Sequence, residues 1–157
     1  EKKTMYLPQL LMAAEAASKA FDAVKESMGD TSGESKGKII VATVKGDIHD
    51  IGKNIVKVLL ENYGYDVIDL GKDVEPETVV ASAKENNVKL VGLSALMTTT
   101  TEAMAETVAL LKKECPDVKT IVGGAVLTKK YADMIGADHY AKDAMEGVRI
   151  AESIFGN

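Results

Sequence analysis

The sequence predicts an α/β domain, a doubly wound five-stranded parallel sheet, with one helix set apart in front of it. Short apolar runs alternate with segments whose apolar residues recur at three- and four-residue steps. Runs such as Ile39-Ile40-Val41-Ala42 and Leu90-Val91-Gly92-Leu93 are apolar without interruption, as in strands covered on both faces. Strand and helix patterns follow one another regularly, so right-handed crossovers place helices on both sides of one sheet.

The elements follow in order. Leu7, Leu10, Leu11, Ala14, Ala17, Phe21 and Val24 form one stripe of a helix over residues 5–28, with Pro8 tolerated in the first turn. Gly29 stops it, and a polar, glycine-bearing linker runs over 29–37. The three parts expected are therefore a leading helix within 1–28, the linker 29–37 and the α/β domain 38–157. A lone amphipathic helix cannot bury its own apolar face, so the leading helix is expected to pack on something else. The chain opens at Glu1 without methionine, inside this helical pattern, and a piece of a longer protein is expected. In the α/β part the strands are Ile39–Val44, Tyr65–Leu70, Lys89–Ala95, Thr120–Val122 and the edge strand His139–Ala141. The helices are Lys53–Asn62, Glu77–Glu85, Thr101–Lys113, Lys129–Met134 and Ala144–Phe155. The acidic stretch Lys72-Asp73-Val74-Glu75-Pro76-Glu77 reads as a helix entry, where negative charge suits the dipole.

Composition removes several function classes. Aromatics make up only 4% and Trp is absent, so the core must be aliphatic. A net charge of -5 without a basic cluster argues against a nucleic-acid surface. No run is apolar and long enough for a membrane span, and no signal peptide is visible. The single cysteine, Cys115, permits neither an internal disulfide nor a Cys-rich metal site, and it fits a cytoplasmic setting.

In such a sheet, ligands bind in the crevice at the carboxyl ends of the strands. Three strand-to-helix loops there are unusual. The first is Gly46-Asp47-Ile48-His49-Asp50-Ile51-Gly52; the others are Ser94-Ala95-Leu96-Met97-Thr98-Thr99-Thr100 and Gly123-Gly124. One imidazole is a poor metal site by itself, since catalytic zinc takes three protein ligands. A single histidine suits a metal already held by a macrocycle, with a carboxylate such as Asp47 accepting its other ring N–H. A loop histidine that caps a helix is the other role open at this point. The glycines match neither a dinucleotide fingerprint nor a phosphate loop. Ser94 lacks a nucleophile-elbow sequence. Met97 suits either a ligand or the core.

The residues Asp47-Ile48-His49-Asp50-Ile51-Gly52, Ser94-Ala95-Leu96 and Gly123-Gly124 resemble, in order and spacing, the motif of cobalamin-binding modules in corrinoid methyltransfer proteins. The resemblance spans residues 37–155 and is closest to cobalamin-dependent methionine synthase. It implies a flavodoxin-like, Rossmann-like sheet and makes the leading helix a remnant of a helical cap domain. It implies cobalamin, with His49 as axial ligand of cobalt, Asp47 hydrogen-bonded to His49, and Thr100 extending that relay. The cofactor's displaced nucleotide tail would run past Ser94 and Thr98, with Gly52, Gly123 and Gly124 leaving it room. Gly46, Ile48, Asp50, Ile51 and Leu96 would belong to the same binding surface.

Function by resemblance is methyl transfer, with methylcobalamin as the loaded form. The donor implied is methyltetrahydrofolate and the acceptor homocysteine, each on a separate module, with a reductive reactivation partner. The chain alone would be a cofactor-binding fragment of a methyltransferase rather than a complete enzyme. The leading helix and linker favour methionine synthase. The hydroxyl-rich loop after Ser94 looks more like small stand-alone corrinoid carriers for methylamine, methanol or methoxyaromatic donors. An adenosylcobalamin mutase, a cobalamin light sensor and a module that has lost its cofactor are the remaining classes. The cap-like helix argues against the first, and the lack of a basic module against the second.

Overall fold

A computed structural model describes residues 35–156 together with Gln9, Met12, Ala16 and Lys19. The chain divides into two compact units, Glu1–Glu34 and Ser35–Asn157. The four described residues of the first unit are helical and exposed, and the rest of the expected leading helix and most of the linker lie outside the described residues.

In the second unit the elements are β1 (Lys38–Thr43), α1 (Ile51–Asn62), β2 (Asp66–Asp69), α2 (Pro76–Asn86) and β3 (Leu90–Ser94). A tight helical turn, Thr98–Thr100, precedes α3 (Thr101–Glu114), followed by β4 (Lys119–Gly123), α4 (Lys129–Ile135), β5 (His139–Ala141) and α5 (Ala144–Phe155). All strand pairs are parallel, in the order β2-β1-β3-β4-β5. This is the doubly wound five-stranded α/β sheet that the sequence predicts, with β5 on an edge. The chain leaves β1 toward β2, then returns past β1 to β3. The crevice where the connections diverge therefore lies between the carboxyl ends of β1 and β3.

The uninterrupted apolar runs are explained by two cores. Successive side chains of a strand point to opposite faces. Ile39 and Val41 of β1 and Leu90 of β3 pack with Leu60, Tyr65, Val148 and Ala151 beneath α1 and α5. Ile40, Ala42, Val91 and Leu93 pack with Val79, Val80, Met104, Val108 and Leu111 beneath α2 and α3.

Element boundaries move by one or two residues. α1 begins at Ile51 rather than Lys53, because the Asn54 N–H already reaches the Asp50 carbonyl at 2.8 Å. Asp50 gives no side-chain cap, so no sequence signal marks that start. α2 starts at Pro76, which suits the first helical position. Asp73 therefore stands outside the helix entry, contrary to the sequence reading, and bonds elsewhere.

β3 and β4 meet tightly at their carboxyl ends. The Ala95 N–H donates to the Gly123 carbonyl at 3.2 Å. Gly124 has φ +138, and a Cβ there would overlap the Ala95 carbonyl. Gly124→Ala should therefore destabilise the protein by at least about 2 kcal/mol, through strained backbone and steric overlap. Urea unfolding measures this, and an unchanged midpoint would contradict the packing.

Candidate functional site

Sheet register sets the site. Thr43 of β1 lies opposite Ser94 of β3, and Ser94 opposite Gly123 of β4. The three loops singled out in the sequence thus begin side by side on one rim. The Val44 N–H continues the pairing by donating to the Ser94 carbonyl at 3.1 Å.

The first loop turns at Gly46, whose φ of +79 suits glycine. The Asp47 N–H closes the turn onto the Val44 carbonyl at 3.1 Å. This drives the Asp47 side chain inward, where it is fully buried. Its Oδ1 accepts from the His49 N–H at 3.0 Å and faces His49 Nδ1 at 2.8 Å. Its Oδ2 accepts from the Leu96 N–H at 2.6 Å, the Met97 N–H at 3.2 Å and the Thr100 hydroxyl at 2.9 Å. Burial pushes this carboxyl up. The donors from Leu96, His49 and Thr100 outweigh that effect and hold it well below the usual carboxylate range.

An ionised Asp47 can only accept, so His49 Nδ1 carries a ring proton, and in the neutral imidazole Nε2 is then the nitrogen with the free lone pair. The His49 side chain is 45% exposed, in contrast to its buried partner. Around this loop the exposed large apolar side chains are Ile48, Ile51 and Leu96. Asp50 stands at the N-cap of α1, and among the described residues it is Asp47 that meets Nδ1. Thr100 is buried and lies within 2.9 Å of both Asp47 Oδ2 and the Met97 carbonyl. The structure therefore brings Thr100, Asp47 and His49 into one hydrogen-bonded chain.

The other expected positions are less uniform. Ser94 is half-buried, and its hydroxyl is 2.9 Å from that of Thr43. Thr98 is exposed at the start of the tight turn. Beside Gly52 there is open space where a Cβ would stand. A Cβ on Gly123 would come within 3.0 Å of the Ala141 carbonyl. Backbone packing alone therefore demands glycine at 124 and makes a side chain at 123 tight, whereas Gly52 leaves room.

Sequence reasoning missed four participants. Buried Thr43 also lies 3.5 Å from the His49 carbonyl. Asp73 accepts the Gly46 N–H at 2.7 Å. Lys53 is buried in the first turn of α1, where the dipole disfavours a cation, and reaches Asp69 at 2.6 Å. Burial pushes the Asp69 carboxyl up, but Lys53, the Gly71 N–H and Lys57 together hold it below the usual range. The glycine in Leu70-Gly71-Lys72-Asp73 signals a turn, but nothing local shows that it meets the histidine loop.

Among the described residues no cluster of three or more His, Cys, Asp or Glu could hold a metal ion. One imidazole with a fixed tautomer, an exposed ring and apolar neighbours instead fits a metal carried in an organic ring. The geometry thus defines an α/β domain that presents one exposed imidazole on the ligand rim of its sheet. The chain belongs to the B12-binding domain family, which matches residues 37–149.

Its relatives narrow the class. Dimethylamine corrinoid protein 1 of Methanosarcina acetivorans is 44% identical, over 98% of this chain and 74% of the relative. Dimethylamine corrinoid protein 3 of Methanosarcina mazei is 43% identical, over 98% of this chain and 94% of the relative. In the crystal structure of the methanol:cobalamin methyltransferase complex MtaBC from Methanosarcina barkeri, one chain superposes with a TM-score of 0.82 at 32% identity. That match covers 99% of this chain and 60% of the other. The cofactor is a cobalamin, as the family and these relatives indicate. The relatives named are corrinoid proteins of methylamine and methanol systems, whereas the sequence reading favours methionine synthase. Among the described residues no helix is long and apolar enough to cross a membrane.

Replacing Asp47 tests the buried carboxylate. Asp47→Asn turns an N–H donor toward other donors and should cost about 1–3 kcal/mol. Because the Asp47 pKa is depressed on folding, its contribution is whole above the unfolded value of about 4 and lost as pH falls further. Unfolding followed below pH 5 should therefore show a shallower acid limb for Asp47→Asn than for the parent, and parallel limbs would refute the assignment.

Proposed function

We propose that this chain is a methyl-carrying corrinoid protein that serves a methylamine or methanol type of methyltransferase. His49 would hold the cobalt of the cobalamin through Nε2. Bound cobalamin would supply the methyl-transfer chemistry between partners. The observation that carries this reading is the buried, ionised Asp47, which holds the Nδ1 proton of His49 and leaves Nε2 on an exposed ring. An anionic hydrogen-bond partner raises the basicity of a ligating imidazole. Thr100 donates to the same carboxylate and completes the relay. Ile48, Ile51 and Leu96 offer an apolar surface beside the histidine, and Gly46 and Asp50 shape the loop that carries it. The open side of Gly52 admits the nucleotide tail, with Ser94 and Thr98 offering hydroxyls and Gly123 and Gly124 shaping the floor.

Donor and acceptor chemistry belongs to methyltransferase partners, and a reductive partner restores the inactive cofactor. The kinship to dimethylamine corrinoid proteins supports the carrier reading. The same kinship supports a methionine synthase module, moving methyl from methyltetrahydrofolate to homocysteine, less well. We place the exchange in the cytoplasm, in keeping with the buried free thiol of Cys115.

Absorption spectra with methylcobalamin and hydroxocobalamin test the ligand. The parent should give a base-off, histidine-bound spectrum. His49→Gly should lose that signature and slow methyl transfer by roughly tenfold or more. An unchanged spectrum and rate would remove His49 from the cobalt. A second variant tests the tail path. Gly52→Ala lies in a helix facing open space, so the cofactor-free protein should be as stable as the parent or stabler by up to about 1 kcal/mol. Its affinity for cobalamin should fall, and unchanged affinity would move the tail elsewhere.

A further inference from the structure

We propose that Asp73 is a positioning residue for the His49 ligand, acting from a loop that the binding motif does not include. The inference rests on His49 being the ligand, as proposed above. Asp73 touches the histidine loop twice. Its Oδ1 accepts the Gly46 N–H at 2.7 Å, and its own N–H donates to the Asp47 carbonyl at 3.0 Å. The Gly46-Asp47 dipeptide is thus held at both ends by one residue 27 positions from Gly46. The loop after β2 is itself anchored to β1, since the Thr43 N–H donates to the Gly71 carbonyl and the Val74 N–H to the Thr43 carbonyl.

The consequence for His49 is direct. Both its backbone N–H and its Nδ1 are held by Asp47 Oδ1. The direction of that oxygen depends on the Asp47 backbone, which Asp73 fixes from one side. The Asp47 carboxylate is fixed from the other side by the Leu96 and Met97 N–H groups and Thr100. Asp73 itself sits at φ +56, a left-handed conformation that aspartate tolerates better than most residues. Unusual backbone held by surrounding bonds gathers at functional sites. Asp73 is exposed and stands outside α2, so neither core packing nor helix capping accounts for it. An ionised acceptor on a backbone N–H makes a strong, short hydrogen bond, suited to setting a position.

Asp73→Gly separates the side-chain bond from the backbone conformation, because glycine keeps the left-handed φ. Asp73→Asn keeps an acceptor oxygen and serves as the rescue. In the full cofactor-free chain, nitrogen NMR of the His49 ring reads the share of Nδ1-protonated tautomer. In the same chain loaded with hydroxocobalamin, absorbance reads the histidine-bound share. Asp73→Gly should shift the tautomer ratio and lower the histidine-bound share by roughly 3- to 10-fold, less than the 10- to 100-fold typical for losing a ligand's direct partner. Asp73→Asn should stay near the parent, and the thermal unfolding midpoints of all three should agree closely. A parent-like tautomer ratio and bound share in Asp73→Gly overturn the inference while leaving His49 as ligand. A shifted tautomer ratio in Asp73→Gly, with no histidine-bound spectrum in the parent, upholds the positioning and overturns the ligand reading.

Discussion

A carboxylate without access to water is costly unless hydrogen bonds replace its hydration, and here that requirement organises the rim of the sheet. Asp47 is fully buried and takes its donors from its own loop, from the loop after β3 and from the turn ahead of α3. Each bond that keeps the charge stable also fixes a piece of backbone. The Leu96 and Met97 N–H groups cannot turn elsewhere without stranding the charge. His49 then has one ring orientation, because its Nδ1 proton completes the same shell. Structural and chemical roles of this residue coincide, so a change at Asp47 is felt in stability and in ligand geometry together.

The architecture was legible because it is written in local pattern. Uninterrupted apolar strands, helical stripes and glycine-marked turns each report on a few neighbouring residues. Even the hydrogen bond from His49 to Asp47 was legible, since only Ile48 separates them. Thr43, Asp69 and Asp73 were not. Their roles depend on β2 lying beside β1 and on the register that sets Thr43 against Ser94. In the sequence Asp73 belongs to a helix entry, because an acid before proline has that local meaning. Lys53 was invisible for a related reason: a lysine one turn into a helix reads as solvent-facing until its partner on another strand is known.

The glycine pair and the hydroxyl loop show two limits of motif reading. Gly123 and Gly124 stand where the motif puts them, yet without any ligand the Ala95 carbonyl excludes a side chain at 124 and the Ala141 carbonyl crowds one at 123. A motif position can thus be demanded by packing while Gly52, in the same motif, faces open space. The loop after Ser94 pointed toward small corrinoid carriers, and kinship with dimethylamine corrinoid proteins agrees with that signal better than with the one read from the leading helix.

The distances along the chain between the partners at this rim carry a kinetic consequence. Thr43 meets Ser94 across 51 residues, and Asp47 meets Thr100 across 53. Parallel pairing allows no hairpin to bring such residues together early, and contacts of this separation form slowly. The shell around Asp47 therefore assembles only when β1, β3 and the crossover between them are in place. The half of the site that Asp47 and His49 build is local, and its completion waits on the donors of Leu96, Met97 and Thr100.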